Sequence, residues 1–402
     1  MLKDRLDEEG ILEEARRRAG SDDFGEPETL EGLGVLLRSL EDEARLNAQG
    51  RALHFERIVG LLTNRARATA WFAAYPEIDD EVLDDPIVVV GLPRTASTML
   101  HRTLAAAPAL RALQWWESRN PAPWPGWSPE RAAGSADPRI ASAEAEIATM
   151  LAANPELAAV HPFEANSPDE EIMLLEHAFM SGTPPAFARV PGYFEWLEGQ
   201  DNAPAYRYMK RLLQLLQWQK RARGESGTRW VLKAPHHLMH LDLLFACFPR
   251  ATVIQTHRDV LEVVPSYASM ISEIHSMSSD AVDRREIGER WSRRWSRALS
   301  RSLEERAHFG EQRFVDVWYE DAVRDPIAEA ERVYERVGMC FTGATRDAML
   351  RWAELNRREA RPRHRYTLDE YGFDADSLAR DFSAYRERFI LPRTAAADPR
   401  QG

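Results

Sequence analysis

The chain has 402 residues, 44% of them hydrophobic and 29% charged, with a formal net charge of −12 at neutral pH. That length exceeds one small core and suits one large α/β domain or two ordinary ones, and the negative balance argues against a nucleic-acid surface. Two cysteines, Cys247 and Cys340, exclude a disulfide framework and fit a reducing compartment. The charged start Met1-Leu2-Lys3-Asp4-Arg5 is unlike a signal peptide, and no run approaches about 18 apolar residues, so the expectation is a cytoplasmic protein. The charge is uneven: residues 1–50 hold 14 acidic and 7 basic side chains, net −7, which leaves the rest able to accept an anion.

Residues 1–80 read as helical throughout. Leu6, Ile11, Leu12 and Ala15 share a face that ends near Gly20, and 29–46 and 52–75 continue the pattern with no strand-like run. We expect a helical cap over 1–80, packed on a main domain.

The chain changes character at Asp85-Pro86. Ile87-Val88-Val89-Val90 is short, β-branched and unalternating, as a strand buried on both faces reads. Gly91 and Pro93 break it, and from Ser97 apolar residues return at helical spacing with Leu100 and Leu104. Strand, polar loop and helix aim several backbone N–H groups and a helix N-terminus at one spot, which suits an anion such as phosphate. Arg94, Thr95, Ser97 and Thr98 add a cation and three hydroxyls. Against the triphosphate pattern G-x-x-x-x-G-K-[ST], Ala96 replaces the second glycine and Ser97 the lysine; only Thr98 fits. A nucleoside triphosphatase lacking that lysine lacks a central part of its chemistry.

Next, 110–116 is apolar with a β tendency and leads into Glu117. The proline-rich 121–129 must be irregular. Helices are expected over 138–153, 168–181 and 203–223, separated by aromatic connections with Phe163, Phe179, Phe187, Tyr193, Phe194 and Trp196. These aromatics suit a core first and an apolar substrate wall second. The sheet returns with strands at 229–233, 251–256 and 313–318, each followed by helix, the last opened by Pro326. Strands alternating with helices imply a parallel, doubly wound sheet, whose ligands sit at the strands' carboxyl ends. By that rule Gly91–Thr98, Glu117, Lys233–His237 and Arg258 are expected to face one crevice.

At this point the chain resembles a known family. Gly91-Leu92-Pro93-Arg94-Thr95-Ala96-Ser97-Thr98 is similar to the 5′-phosphosulfate loop of sulfotransferases that use 3′-phosphoadenosine 5′-phosphosulfate, with Ala96 where the family usually has glycine. Thr256-His257-Arg258-Asp259, with Ser266 eight residues past the arginine, resembles that family's 3′-phosphate site. Trp230-Val231-Leu232-Lys233-Ala234-Pro235-His236-His237 and Val317-Trp318-Tyr319-Glu320-Asp321 through Asp325-Pro326 resemble two further segments, so the likeness spans roughly 86–390 in order. It implies an α/β, P-loop-like three-layer fold with a central parallel sheet, carrying an N-terminal helical region and a helical insertion at about 121–225. The domain limits that follow are 1–80, 81–392 and a tail, 393–402.

The resemblance implies sulfuryl transfer from that nucleotide to a hydroxyl or amine of a small-molecule acceptor, without a metal; only the aromatic middle section points to an apolar one. Cofactor-binding residues would be Gly91, Pro93, Arg94, Thr95, Ala96, Ser97, Thr98, Arg258 and Ser266, with Arg363 and Tyr366 from a late basic loop. Arg94 and Lys233 would stabilise the charge of an in-line, loose transition state. Glu117 would be the base, its pKa raised by Trp115 and Trp116, with His237 the competing base. His161 and Glu164 rank below both. A P-loop-type kinase and a non-catalytic nucleotide-binding scaffold remain the alternatives. Oligomeric state is unreadable, and a homo-oligomer stays open.

Overall fold

The computed structural model describes residues 5–83, 85–153, 163–356 and 367–396. Its sheet is built on β1 (Ile87–Gly91), buried along its whole length as four consecutive β-branched residues require. The other strands are β2 (Leu110–Arg111), β3 (Arg229–Lys233), β4 (Thr252–His257) and β5 (Phe314–Trp318). They run in the order β2-β3-β1-β4-β5, and every pairing is parallel. The order reverses direction at β1, because β3 returns on one side of it and β4 lies on the other. Register sets Val89 beside Lys233 and Gly91 beside Thr256, so three strands end along one edge. Open α/β sheets offer a crevice at such a point.

One face of the sheet packs Ile87, Val89, Val231, Ile254, Val315 and Val317 against three helices. Leu100 and Leu104 come from helix Ser97–Ala105, Val333 and Tyr334 from Pro326–Arg336, and Met349 from Gly343–Leu355. These elements belong to a compact unit made of 84–112, 227–272 and 283–402.

A second compact unit gathers 1–83, 113–226 and 273–282. It is helical. Asp7 caps helix Glu8–Ala19 by accepting the Gly10 N–H (2.7 Å), and Gly20 closes it at φ 70°. Helices Glu31–Asp42, Ala48–Ala74, Pro138–Ala153 and Ala203–Ala222 follow. The N-terminal helices and the mid-chain insertion, which the sequence reading keeps apart, thus share one unit. Phe179, Tyr193 and Phe194 are buried in it as core, the first of the two expected roles, while Phe163, Phe187 and Trp196 are half-buried. Among the described residues, no helix is long and apolar enough to cross a membrane.

Two expected elements differ. The β tendency of 110–116 yields only the two-residue β2. Gln114 and Glu117 then form a reciprocal capping box, with Gln114 N–H donating to Glu117 Oε2 (3.0 Å), and start helix Trp115–Arg119. The helix expected over 168–181 is confined to Ile172–Glu176, and Phe179 at φ 52° forbids its continuation.

Candidate functional site

The loop after β1 is shaped by three left-handed residues. Gly91 has φ 141°, and a Cβ there would lie 2.2 Å from Thr256 Oγ1 and 2.7 Å from Thr256 O, so the close approach of β1 to β4 demands glycine. Arg94 (φ 71°) and Ala96 (φ 66°) adopt the same half of conformational space without glycine's freedom. Each left-handed L-residue costs about 1–2 kcal/mol, a strain typical of ligand-binding loops. Ala96 stands at the N-cap of helix Ser97–Ala105, so the family's glycine at this position has a backbone reason.

Not every loop hydroxyl is available to a ligand. The buried Thr95 hydroxyl donates to the Leu92 carbonyl (2.6 Å) and accepts from that of Thr256 (2.6 Å), which closes the turn upon itself. Ser97 is buried and Thr98 half-buried at the helix start, while Arg94 is exposed. The first N–H groups of this helix lack intrahelical acceptors, and no acidic side chain occupies its first turn. An anion is the natural occupant of such an end.

Arg258 follows β4 directly and leans toward this loop. Its Nη1 donates to the Arg94 carbonyl (3.1 Å), its guanidinium lies over the Tyr319 ring (3.8 Å to the centroid), and Nη2 pairs with Glu262. Arg94 Nε in turn donates to Ser266 Oγ (3.3 Å). The structure therefore brings Arg94, Arg258 and Ser266 together from two segments 172 residues apart at their extremes. Glu262, which pairs with the Arg258 guanidinium, escapes the sequence reading, and Tyr319 enters it only within the segment Val317–Asp321, with no link to Arg258. A ring and a carboxylate beside an arginine leave no one-dimensional signal.

Lys233 ends β3 beside Val89 and is buried. The turn Pro235–Met239 after it buries His236 and His237. Burial, with His240 and Arg294 nearby, pushes the His236 pKa well below the ordinary value. Burial likewise brings His240 to about 3. These two imidazoles are neutral, packed 4.8 Å apart.

Glu117 does not sit at a strand end, as expected, but on helix Trp115–Arg119 of the helical unit. It is 0% exposed. Nor is its pocket simply apolar: Oε1 meets Lys220 Nζ at 2.7 Å and Arg223 Nη2 at 2.9 Å, and Oε2 accepts the Gln114 N–H. Of the lesser candidates, Glu164 is exposed and accepts the Ser167 hydroxyl (3.1 Å) in a local turn. His161, Arg363 and Tyr366 lie outside the described residues. Among the described residues, no three His, Cys, Asp or Glu side chains gather closely enough to hold a metal ion.

The geometry can be set beside known proteins. Comparison with curated protein sequences gives no match. Among solved structures, sulfotransferase STF1 from Mycobacterium tuberculosis H37Rv is 32% identical, with a TM-score of 0.81 over 95% of this chain and 100% of that one. Sulfotransferase STF9 from Mycobacterium avium is 26% identical, with a TM-score of 0.86 over 97% of this chain and 98% of that one. A family model described as the sulfotransferase family matches residues 86–343, from the first residues of the sheet unit to the start of helix Gly343–Leu355. On a match covering more than half its length and a relative above 30% identity across nearly all of it, the chain belongs to the sulfotransferase family.

Proposed function

We propose that the loop Gly91–Thr98 takes the 5′-phosphosulfate of 3′-phosphoadenosine 5′-phosphosulfate, that Arg258 and Ser266 take its 3′-phosphate, and that the sulfuryl group passes to a hydroxyl or amine of a small molecule. The observation that carries this reading is the meeting of Arg94, Arg258 and Ser266 beside a helix N-terminus with no acid in its first turn. The donor set fits the ligand: two guanidinium groups and a hydroxyl match dianionic phosphate through charge-assisted hydrogen bonds. Lys233 ends the neighbouring strand at the same sheet edge and adds a third cation. The donor nucleotide, when bound, supplies an activated sulfuryl group. The chain's own residues then have to orient it, neutralise its equatorial oxygens and take a proton from the acceptor, which is positioning and electrostatics more than covalent chemistry.

His237 is favoured as the proton acceptor over Glu117. It lies just beyond Lys233 at the strand end, whereas both oxygens of Glu117 are engaged by Lys220, Arg223 and Gln114. The two free cysteines, one exposed, fit a reducing cytoplasm.

Thermal shift with 3′-phosphoadenosine 5′-phosphate, against adenosine triphosphate plus magnesium, tests the site. A ligand that binds only the native state raises the melting temperature, by about 2.7 kcal/mol of stability at a hundredfold excess over Kd. Stabilisation by the bisphosphate, lost in Arg258→Ala, is the expected result. No shift with the bisphosphate would remove the assignment.

A further inference from the structure

Behind Arg258, the end of β4 is tied to helix Ser383–Phe389 by a set of buried and part-buried hydrogen bonds. The Tyr385 hydroxyl donates to His257 Nδ1 (3.1 Å). That fixes the His257 tautomer, because the other ring nitrogen must then carry the proton, and Nε2–H donates to Asp316 Oδ1 (2.9 Å). Asp316, on β5, is held by Arg306 through two contacts (2.6 and 3.1 Å), and Arg306 also donates to Gln255 Oε1 (2.8 Å). The His257 ring stacks on Phe389 at 4.1 Å and 19°. On the other side of Arg258, Asp259 accepts a two-pronged pair from Arg386 (3.1 and 3.0 Å). Both chain neighbours of Arg258 are thus gripped by one helix from the far end of the sequence.

We propose that helix Ser383–Phe389, through Tyr385 and Arg386, is a positioning element that sets Arg258 for the 3′-phosphate and so confers preference for nucleotides that carry one. The inference rests on the reading of Arg258 given above. Its physical basis is the narrow tolerance of hydrogen bonds: a bond weakens steeply once its angle falls toward 120°, and displacements near 1 Å undo oriented sites. The Arg258 guanidinium already sits between two fixed partners, the Arg94 carbonyl and the Tyr319 ring, with little latitude to re-aim. A shift of the β4 end would therefore be felt at the phosphate. Burial holds His257 below its ordinary pKa, which keeps the relay in the single protonation state described.

The test is the ratio of dissociation constants for adenosine 5′-phosphate and 3′-phosphoadenosine 5′-phosphate, measured by titration calorimetry on the full chain. Wild type should prefer the bisphosphate. Tyr385→Phe and Arg386→Gln should each cut that preference by roughly tenfold while leaving adenosine 5′-phosphate binding within about twofold, and Arg386→Lys should restore part of it. A merely structural role would lower the melting temperature and weaken both nucleotides alike, leaving the ratio at its wild-type value; that result overturns the proposal. Arg258→Ala separates the two layers. If it abolishes the preference and the helix variants do not, the positioning role is wrong and the site stands. If Arg258→Ala keeps the preference, the site reading falls and the inference with it. Should Tyr385→Phe fail to fold, Arg386→Gln decides, since the Arg386–Asp259 pair is part-exposed and its loss is tolerable.

Discussion

The two compact units bury charge for different ends. In the helical unit, the buried arginines serve the fold: Arg65 donates to the Phe24 carbonyl through Nε (3.0 Å) and Nη2 (2.8 Å) and to the His177 carbonyl (2.7 Å). Arg139 clasps Asp137 at 2.6 Å and reaches Gln219 and the Asn120 carbonyl. Glu117 with Lys220 and Arg223 is a third such node, joining helix Trp115–Arg119 to the end of helix Ala203–Ala222. The sheet unit seals arginines too (Arg102, Arg111, Arg294 and Arg306, the last standing behind Arg258 and supporting it), but it also leaves Arg94 exposed and Arg258 half-buried at strand ends. A sealed charge away from the strand ends is a fastener. A half-open one at a strand end is available to a ligand. The same residue type, read from sequence alone, carries neither label.

The largest expected effect ignores the distinction. Burial above all brings His54, His177 and His240 to about 3. A histidine whose folded pKa lies below its unfolded value near 6.5 binds its proton first in the unfolded chain, so stability falls as pH drops through that window. Three such groups cost about 5 kcal/mol between pH 6.5 and 5. Urea titrations across that range should show the loss, in both units; a stability unchanged at pH 5 would mean that water reaches these rings. Next in size, Arg139→Ala leaves the Asp137 carboxylate buried without its partner, which should cost about 3–5 kcal/mol. Hydrogen exchange should then rise in the helical unit first, and a loss below about 1 kcal/mol would make the pair decorative.

Glu117→Gln sharpens the comparison directly. A fastener keeps nucleotide binding and loses about 2–3 kcal/mol, because buried Lys220 and half-buried Arg223 exchange the carboxylate between them for an amide and keep only the more exposed Glu225 as a close anionic partner. A base loses turnover and keeps its melting temperature. The two outcomes separate in one variant, measured by thermal melting and by turnover of 3′-phosphoadenosine 5′-phosphosulfate.

What was legible in the sequence follows the same division. Strands β1 and β3–β5, and the placing of Arg94 and Arg258 at one sheet edge, could be read because a buried parallel strand is continuously apolar and its end is marked by polar residues at short range, whereas Ser266 came only with the family resemblance. Helix Arg284–Phe309 was not singled out, although Ile287, Trp291, Trp295 and Leu299 mark its buried face, because arginines and glutamates dominate the rest. Glu117 was misplaced for a physical reason: Trp115 and Trp116 suit a strand, and the capping box of Gln114 and Glu117 overrode that preference. Lys220 and Arg223, more than a hundred residues from Glu117, and Tyr385, 128 from His257, are contacts that no local pattern announces.

The smallest effect concerns Ala96. Its φ of 66° costs about 1–2 kcal/mol for an L-residue, so Ala96→Gly should relieve strain. Two effects oppose the gain. Glycine adds about 0.4–1 kcal/mol of unfolded-state entropy, and the lost methyl group packs against the core beside Leu100 and Met99. The expected sum is a stabilisation below about 1 kcal/mol, read as a higher urea midpoint at unchanged slope. With the loop no longer strained, binding of 3′-phosphoadenosine 5′-phosphate should hold or tighten by up to about threefold. A destabilised variant would show that the methyl group's packing outweighs the backbone strain, and Ala96 would then belong with the fasteners rather than with the open end of the sheet.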